Sequence, residues 1–308
     1  MLKNNKEILN KKILNLPHNC AVKLLAIFET LQSAERKVVD LLIERTDLFR
    51  TASVYEIAKL AKTSVATIVR LFQKLGYQGY AEFKSDLNLI KDKTPSKFYD
   101  DITQDDDYET VLKKVYKATI ISLKDTFRIV NIKEFEKAVE TIFEAKKIVF
   151  CGEGDASVVA RAAYLKFVRI GINAILAQEI DSQLIAVANL EKKDVLFAIS
   201  YSGRTKNIVE LVKYAKKLGI TVISITNYPL SPLSKNSDII LLTATFAEDI
   251  MGEIISKRVS ELYLIEAIYI SLIMKQKEKF EQVFEKSNEA LLLNKIIASK
   301  NKSIYYKK

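Results

Sequence analysis

The stretch DVLFAISYSGRT, residues 194–205, restricts the fold of this chain more than any other. Its apolar run from Val195 to Ile199 is typical of a strand that is buried on both faces of a sheet. The run ends in a turn of small hydroxyl residues around Gly203, and apolar residues then recur at helical spacing from Ile208 to Leu218. This order of strand, turn and helix predicts one unit of a parallel α/β sheet.

The same alternation continues on both sides of this unit. Strands are predicted at 147–151, 172–176, 194–200, 220–226 and 238–242, with helices at 157–170, about 182–190, 205–218 and near 231–236. Strands joined by helical crossovers predict a five-stranded parallel sheet in a three-layer αβα sandwich. Further helices are predicted at 108–128, 133–145 and 254–275. Cys151 falls in the first strand, where we expect it to be buried among apolar residues.

The turn after the third strand has the composition of an anion site. Ser200, Ser202 and Thr205 surround Gly203, between the carboxyl end of a strand and the amino end of a helix. Open α/β sheets bind ligands at this position, and the unpaired N–H groups of the helix favour an anion such as phosphate. The alternative is a simple helix cap, in which a hydroxyl satisfies its own backbone. A cap needs one hydroxyl and the turn has three, so we favour a phosphate site.

The first ninety residues contain helical periodicity and no strand-like run. An amphipathic helix with a cap is predicted from Ser33, and a second begins at the capping box formed by Ser53 and Glu56. A third runs from Ser64 to Leu75 and ends before Gly76. Two short helices joined by a tight turn predict an all-α helix-turn-helix domain.

The third helix separates into an apolar stripe and an outward face. Its apolar residues, Ile68, Leu71, Phe72 and Leu75, are expected to be buried. The residues predicted to contact DNA are Ser64, Val65, Ala66, Thr67, Arg70 and Lys74. Small residues at the helix start allow close approach to base edges, hydroxyls donate to phosphates, and arginine reaches guanine or phosphate. A helical bundle that serves only dimerisation is the alternative.

Composition changes divide the chain. We predict a helix-turn-helix domain over 1–90, a linker over 91–110, an α/β domain over 111–276, and a carboxyl-terminal helix with a basic tail over 277–308. Proline and clustered like charges mark the linker. Its aspartates at 105–107 are interpreted as an acidic turn that stabilises the amino end of the next helix, in preference to a metal site.

Charge and cysteine usage restrict the class of protein. The chain has 48 basic and 38 acidic residues, a net charge of +10, which permits a nucleic-acid partner but does not establish one. Its cysteines, Cys20 and Cys151, have no metal-type spacing and indicate a reducing compartment. We expect no cofactor and no metal. No apolar run or signal peptide indicates a membrane partner, so a cytoplasmic protein is predicted.

These patterns resemble those of the RpiR/MurR-type bacterial transcriptional regulators. In the first domain the resemblance rests on residues 35–39 (ERKVV), 57–58 (IA), 64–70 (SVATIVR) and 75–80 (LGYQGY). In the second it rests on Ser200-Tyr-Ser-Gly-Arg-Thr205, which matches the Ser-x-Ser-Gly-x-Thr signature of sugar isomerase (SIS) domains. The resemblance implies double-stranded operator DNA bound by the first domain and a phosphorylated sugar effector bound by the second. It also implies a homodimer or homotetramer.

The resemblance implies a second loop on the phosphate side of the site, and this sequence differs from the family pattern at several positions. The family commonly shows Gly-x-Gly-x-Ser after the first strand, which implies ligand contacts at Gly152, Gly154 and Ser157. Ala156 stands where the serine is expected, and the neighbouring residues 153 and 155 are acidic, either turned away from the anion or binding sugar hydroxyls or an amino group. Three more positions depart from the pattern: Lys62 replaces the usual turn glycine, Lys257-Arg258 replaces Ser-Arg, and Glu266 replaces an aspartate.

SIS domains also occur in sugar-phosphate isomerases, so an enzyme is the alternative function. Aldose–ketose isomerisation needs a general base, and ring opening commonly uses histidine. The single histidine of the sequence, His18, lies outside the α/β region and is expected at the surface. Glu253, Glu261 and Glu266 could supply carboxylates, but glutamates on helix surfaces or interfaces are common. We therefore expect a regulator with no catalytic residues; an interaction module without a small ligand is a third possibility.

Overall fold

The amino-terminal helices form where apolar residues recur every three or four positions. The computed structural model describes residues 13, 16, 18–89, 102–247, 251 and 253–294. Its amino-terminal helices are α1 His18–Ile27, α2 Ser33–Glu44, α3 Thr46–Thr51, α4 Val54–Leu60, α5 Val65–Lys74 and α6 Tyr80–Leu89. Their apolar faces share one core, in which Phe72 and Phe83 stack with ring centroids 4.1 Å apart.

Local capping fixes the helix-turn-helix formed by α4 and α5. Ser53 Oγ accepts from the Glu56 N–H, and the Glu56 carboxylate accepts from the Ser53 N–H, so the predicted capping box is confirmed. Ser64 caps α5 by accepting from the Thr67 N–H at 3.1 Å. In the turn between them, Lys62 is left-handed with φ of 50°. This conformation costs a non-glycine residue about 1 kcal/mol.

The cap of α2 differs from the sequence prediction. Ser33 is the first helical residue, and the preceding Gln32 occupies the cap position. The Gln32 side chain accepts from the Glu35 backbone, while the Glu35 carboxylate accepts from the Gln32 N–H at 2.9 Å. A glutamine is an uncommon cap, and the serine beside it has the higher cap preference. Reciprocal bonding by Glu35 therefore decides where the helix begins.

Helices and parallel strands alternate through the second region. The elements are α7 Tyr108–Ile129, α8 Ile132–Glu144, β1 Ile148–Gly152, α9 Ala156–Arg169, β2 Ala174–Leu176, α10 Ile180–Ala188, β3 Val195–Ile199, α11 Lys206–Lys217, β4 Thr221–Thr226, α12 Pro232–Lys235, β5 Ile239–Leu242, α13 Lys257–Lys275 and α14 Lys277–Leu292. The five described strands are all parallel, so the predicted sheet is confirmed. Asp107 caps α7 by accepting from the Thr110 N–H at 2.7 Å, as the acidic turn predicts. Residues 90–101 lie outside the described part, and the proposed domain boundaries stay predictions.

Alternate strand residues point into two separate cores, which gives the three layers. On one face Phe150 and Phe197 pack against α8, α9 and α13. On the other face Cys151 and Leu196 pack against α10 and α11. Burial raises the pKa of the Cys151 thiol to about 12, so it behaves as an apolar core residue, as predicted.

The strand order places two loops side by side. The sheet runs β2-β1-β3-β4-β5, so the chain leaves β1 toward one edge and continues from β3 toward the other. At such a switch point the connections at the carboxyl ends of the two central strands diverge and leave a crevice. The loops that follow β1 and β3 flank this crevice, and they carry both predicted ligand segments.

The longest apolar pattern of the sequence forms a packed helix. This is α13, in which Leu264, Ile268 and Leu272 are buried against the sheet. Its sequence also contains Glu261 and Glu266. No helix among the described residues is long and apolar enough to cross a membrane.

Candidate ligand site and DNA-binding surface

The loop after β3 depends on the absence of a side chain at Gly203. Its φ is +60°, and a Cβ built there would lie 2.1 Å from Ser231 Oγ. The Gly203 carbonyl accepts from the Leu233 N–H at 3.0 Å. The loop is thereby held against the first turn of α12. Gly203 therefore stabilises the loop in two ways: it adopts a left-handed conformation, and it packs closely against Ser231.

The three predicted hydroxyls lie together at the amino end of α11. Ser200 Oγ and Thr205 Oγ1 are 3.0 Å apart, and Ser202 Oγ accepts from the Arg204 N–H at 3.2 Å. Thr205 occupies the cap position, but no side chain caps this helix. The cap alternative therefore fails for Thr205, whereas Ser202 does satisfy a backbone group of its own turn. The uncapped N–H groups and nearby hydroxyls form a concentration of hydrogen-bond donors.

The loop after β1 approaches the same crevice through two glycines. A Cβ on Gly152 would lie 2.7 Å from the Ala156 carbonyl oxygen, so only glycine permits α9 to begin this close to the strand. Gly154 is left-handed, with φ of 58°. Ser157 Oγ donates to the Gly154 carbonyl at 2.6 Å, and Ala156 is buried. The Ser157 hydroxyl thus stabilises the turn and retains its lone pairs for acceptance.

The two acidic residues of this loop have partners on neighbouring elements. Glu153 Oε1 accepts from Asn207 Nδ2 at 3.0 Å, which joins the loop to the first turn of α11. Asp155 lies 3.2 Å from Lys257 Nζ, and Glu253 lies 2.9 Å from the same ammonium. Burial disfavours the Lys257 charge, but the hydrogen bonds that its ammonium donates to the two carboxylates, together with their negative charge, outweigh burial and raise the pKa of Lys257. Lys257, at the position of a family serine, therefore offsets the added negative charge of Asp155.

A buried ion pair lies in the first turns of α13. The Arg258 guanidinium contacts the Glu261 carboxylate, and Glu261 is fully buried. Among the described residues no group bonds Glu261 Oε1. Burial raises the pKa of Glu261 to about 7, against the opposing effects of Arg258 and Lys257. A carboxyl with this pKa suits proton transfer, but its burial keeps it from contact with a bound molecule.

Glu261→Gln is expected to flatten the pH dependence of folding stability between pH 4.5 and about 7. In this window the native chain binds more protons than the unfolded chain, so the wild-type free energy of unfolding falls as pH rises. The contribution is at most about 3 kcal/mol. Urea unfolding followed by circular dichroism across this range measures the slope. Glu266→Gln, which removes a half-exposed carboxylate of the same helix, should keep the wild-type slope; a wild-type slope in Glu261→Gln would contradict the assignment.

The face of α5 that the sequence predicts to contact DNA is exposed in part. Ser64, Ala66 and Arg70 are exposed, whereas Thr67 and Val65 are half-buried. Ser64 Oγ and Thr67 Oγ1 are 2.9 Å apart, so both hydroxyls lie at the amino end of the helix. Val65 packs partly against the domain core. The DNA contacts of these residues stay predictions, and the exposed set is centred on Arg70.

Two contacts were not evident from the sequence. The Lys74 ammonium forms an ion pair with Glu35, which is itself part of the α2 cap. Lys74 therefore ties α5 to α2, in addition to its predicted contact with DNA. The bond from Asn207 to Glu153 was not predicted either. A polar side chain in the first helical turn after a phosphate-type loop is a sequence signal that could have indicated it. Of His18, the structure describes the backbone at the start of α1 and not the side chain.

A helix-turn-helix region and an αβα region with paired loops at its switch point define a DNA-binding domain joined to a sugar isomerase-type domain. The family model of the rpiR-type helix-turn-helix domain matches residues 3–92, and that of the SIS domain matches residues 141–271. An HTH-type transcriptional regulator of Caldanaerobacter subterraneus is 33% identical over 89% of this chain and 98% of its own length. The chain belongs to the RpiR family of HTH-type transcriptional regulators.

Two further proteins are similar to this chain over most of its length. The HTH-type transcriptional regulator RpiR of Escherichia coli is 25% identical over 79% of this chain and 82% of its own length. The solved structure of Vibrio vulnificus NanR complexed with ManNAc-6P is 26% identical, with a TM-score of 0.58 over 87% of this chain and 96% of that chain. The second similarity extends across both the helix-turn-helix and the SIS regions.

Proposed function

We propose that this regulator binds operator DNA under the control of a phosphorylated sugar or sugar derivative held in its SIS domain. The observation that carries the proposal is the cluster of Ser200, Ser202 and Thr205 at the uncapped start of α11. The cluster lies at the switch point of the sheet, where ligands of this fold class bind. The NanR structure, which contains ManNAc-6P, supports a phosphosugar as the class of effector.

In this proposal the phosphate binds the hydroxyls and N–H groups of the loop after β3. The local contact between Ser200 and Thr205 opens to donate to phosphate oxygens, and the dipole of α11 favours the negative charge. Gly152 and Gly154 bring the opposite loop close enough to contact the sugar. The ion pair of Asp155 with Lys257 and the bond from Asn207 to Glu153 reduce the repulsion of phosphate by the acidic side chains.

On the DNA side, Arg70 reads a base edge or phosphate while Ser64 and Thr67 contact the backbone. Two subunits of a homodimer or homotetramer place their α5 helices in successive major grooves of a near-palindromic operator. The effector then changes the spacing of these helices. By linkage, effector and DNA alter each other's affinity by the same factor.

Ser202→Ala is expected to abolish the response to effector while operator binding by the unliganded protein persists. The substitution removes one phosphate donor and leaves α5 intact. A thermal-shift panel of phosphorylated sugars, with their unphosphorylated forms as controls, measures binding, since ligand at a hundred times its Kd adds about 2.7 kcal/mol of stability. Ser182→Ala, at an exposed serine of α10, is the matched control.

The two arms of this experiment separate the parts of the proposal. A shift with one phosphosugar that survives in Ser182→Ala and is lost in Ser202→Ala supports the site. A wild-type protein that responds to no member of the panel, yet binds its operator, would contradict effector control. Loss of operator binding by unliganded, folded Ser202→Ala would contradict the separation of the two surfaces.

A sugar-phosphate isomerase is the second candidate, because the pKa of Glu261 near 7 suits a general base. Its burial and its pairing with Arg258 argue against that role. The sequence also places its single histidine outside the SIS region. Solvent deuterium appearing at C2 of a sugar phosphate incubated with the protein in heavy water would favour the enzyme. Unchanged substrate would favour the regulator.

A further inference from the structure

We propose that Tyr201 and the segment 243–247 join the effector loop to the amino-terminal domain, through Phe246. The inference rests on the proposed function for the role of the loop, but the physical connection is testable without any effector. Tyr201 acts as a positioning residue. It lies between the two serines of the loop, and it bonds the Thr245 carbonyl, whose next residue, Phe246, packs on the amino-terminal core.

The first step of the connection is a hydrogen bond. Tyr201 Oη donates to the Thr245 carbonyl at 2.6 Å. The Tyr201 ring meets Tyr228 edge to face, with centroids 5.8 Å apart and planes at 83°, which fixes the direction of the hydroxyl. The Tyr201 carbonyl accepts from the Asn227 N–H at 2.9 Å. Movement of the loop backbone between Ser200 and Ser202 is thus transmitted to Thr245.

The second step is the rigidity of the segment itself. Asn227 Oδ1 accepts from the Thr245 N–H at 2.9 Å and from Thr243 Oγ1 at 3.1 Å. Thr245 Oγ1 donates to Ser260 Oγ at 3.0 Å. The side chains of Asn227, Thr243 and Thr245 are fully buried. Buried polar groups that are bonded to one another resist independent movement, so the segment moves as a unit.

The third step is the contact of Phe246 with the other domain. Its half-buried side chain packs against the amino-terminal core that contains Phe72 and Phe83. It also packs with Ala118 of α7 and with Ala247. The effector loop and the amino-terminal core are therefore separated by one hydrogen bond and one peptide unit.

These contacts supply a route from the anion loop to the DNA-binding domain through the described residues, independent of the predicted linker. A ligand shifts an equilibrium only if it contacts one state better than the other. An anion that draws Ser200 and Ser202 together displaces Tyr201 between them. The displacement reaches Phe246 and changes how firmly the amino-terminal core is held.

Hydrogen exchange on the full chain without effector tests the connection. Tyr201→Phe removes the hydroxyl and keeps the ring; Phe246→Ala removes the contact with the core; Phe246→Leu restores apolar bulk. We expect the amides of α2, α4 and α5 to exchange about three- to tenfold faster in the first two variants and near the wild-type rate in the third. Amides of β1 and β3 should be unchanged. Tyr214→Phe, at a partly exposed tyrosine of α11, is the matched control.

Exchange at the wild-type rate in the amino-terminal helices of either Tyr201→Phe or Phe246→Ala would overturn the inference. So would a uniform increase across the sheet, because that is the result of a merely structural role. A second arm adds N-acetylmannosamine 6-phosphate as the probe. In wild type it should alter exchange in both the 200–205 loop and the amino-terminal helices, and in Tyr201→Phe in the loop alone. A wild-type loop that neither this probe nor any member of the thermal-shift panel protects counts against the effector assignment, while the arm without effector still decides the connection.

Discussion

Arg70→Ala is expected to weaken operator binding by about ten- to a hundredfold, which corresponds to the loss of about 1–3 kcal/mol for a base-edge contact. Arg70 is exposed on α5, on the face opposite the buried stripe of Ile68, Leu71 and Phe72. Its side chain is free to reach a groove without disturbing the core. Fluorescence anisotropy with a labelled operator at fixed salt measures the change.

The control for Arg70 removes the same charge elsewhere. Arg161→Ala, at an exposed position of α9, lowers the net charge equally and leaves α5 intact. It should change operator affinity by no more than about twofold, since long-range interactions between exposed charges are screened by salt. Equal losses in the two variants would indicate a general charge effect. Full operator affinity in Arg70→Ala would refute the assignment of α5 as the recognition helix.

Gly203→Ala is expected to lower the free energy of unfolding of the SIS domain by about 2–4 kcal/mol, from left-handed strain plus overpacking. The added Cβ would lie 2.1 Å from Ser231 Oγ and 2.5 Å from Ser231 Cβ. Ser231 has little room to move, because it is buried and caps α12 by accepting from the Ser234 N–H. Urea unfolding followed by circular dichroism measures the loss, as the chain has no tryptophan.

Gly219→Ala separates the two causes of that loss. Gly219 is also left-handed, with φ of +74°, but a Cβ there would meet nothing within 4 Å. The variant should therefore lose about 1 kcal/mol, the conformational part alone. If the two alanine variants lost equal stability, the close packing of Gly203 against Ser231 would not be what fixes the loop.

Local sequence patterns predicted most of the fold. The apolar run of Val195 to Ile199 is short and is followed by a turn, which favours a buried strand over a helix. The capping box of Ser53 with Glu56 forms within four residues. Such features depend on residues that are close together in the chain, so they can be predicted without the tertiary structure. The start of α2 was predicted less well, because Gln32 is a weak cap until Glu35 bonds back to it.

Contacts between distant residues were beyond the reach of the sequence. Lys74 has the positive charge expected of a DNA contact, yet its partner in the structure is Glu35, which lies on another helix. The sequence did not explain how acidic residues can lie beside a site for an anion. In the structure Lys257 of α13 pairs with Asp155, and Asn207 of α11 donates to Glu153. Tyr201 lies inside the Ser-x-Ser-Gly-x-Thr motif. Its bond to Thr245 could not be predicted, because it depends on the path of the chain after β5.

The sequence by itself determined which segments form helices and strands, where the hydroxyl-rich turn lies, and which face of α5 stays exposed. Each of these follows from periodicity, capping and glycine placement over a few residues. The tertiary structure decided that β1 and β3 are neighbours and that the loop after β1 bonds to the first turn of α11, through Glu153 and Asn207. It also decided that Phe246 packs against the amino-terminal core. Strand order and packing are settled by burial of surface between distant parts of the chain, which no local pattern encodes.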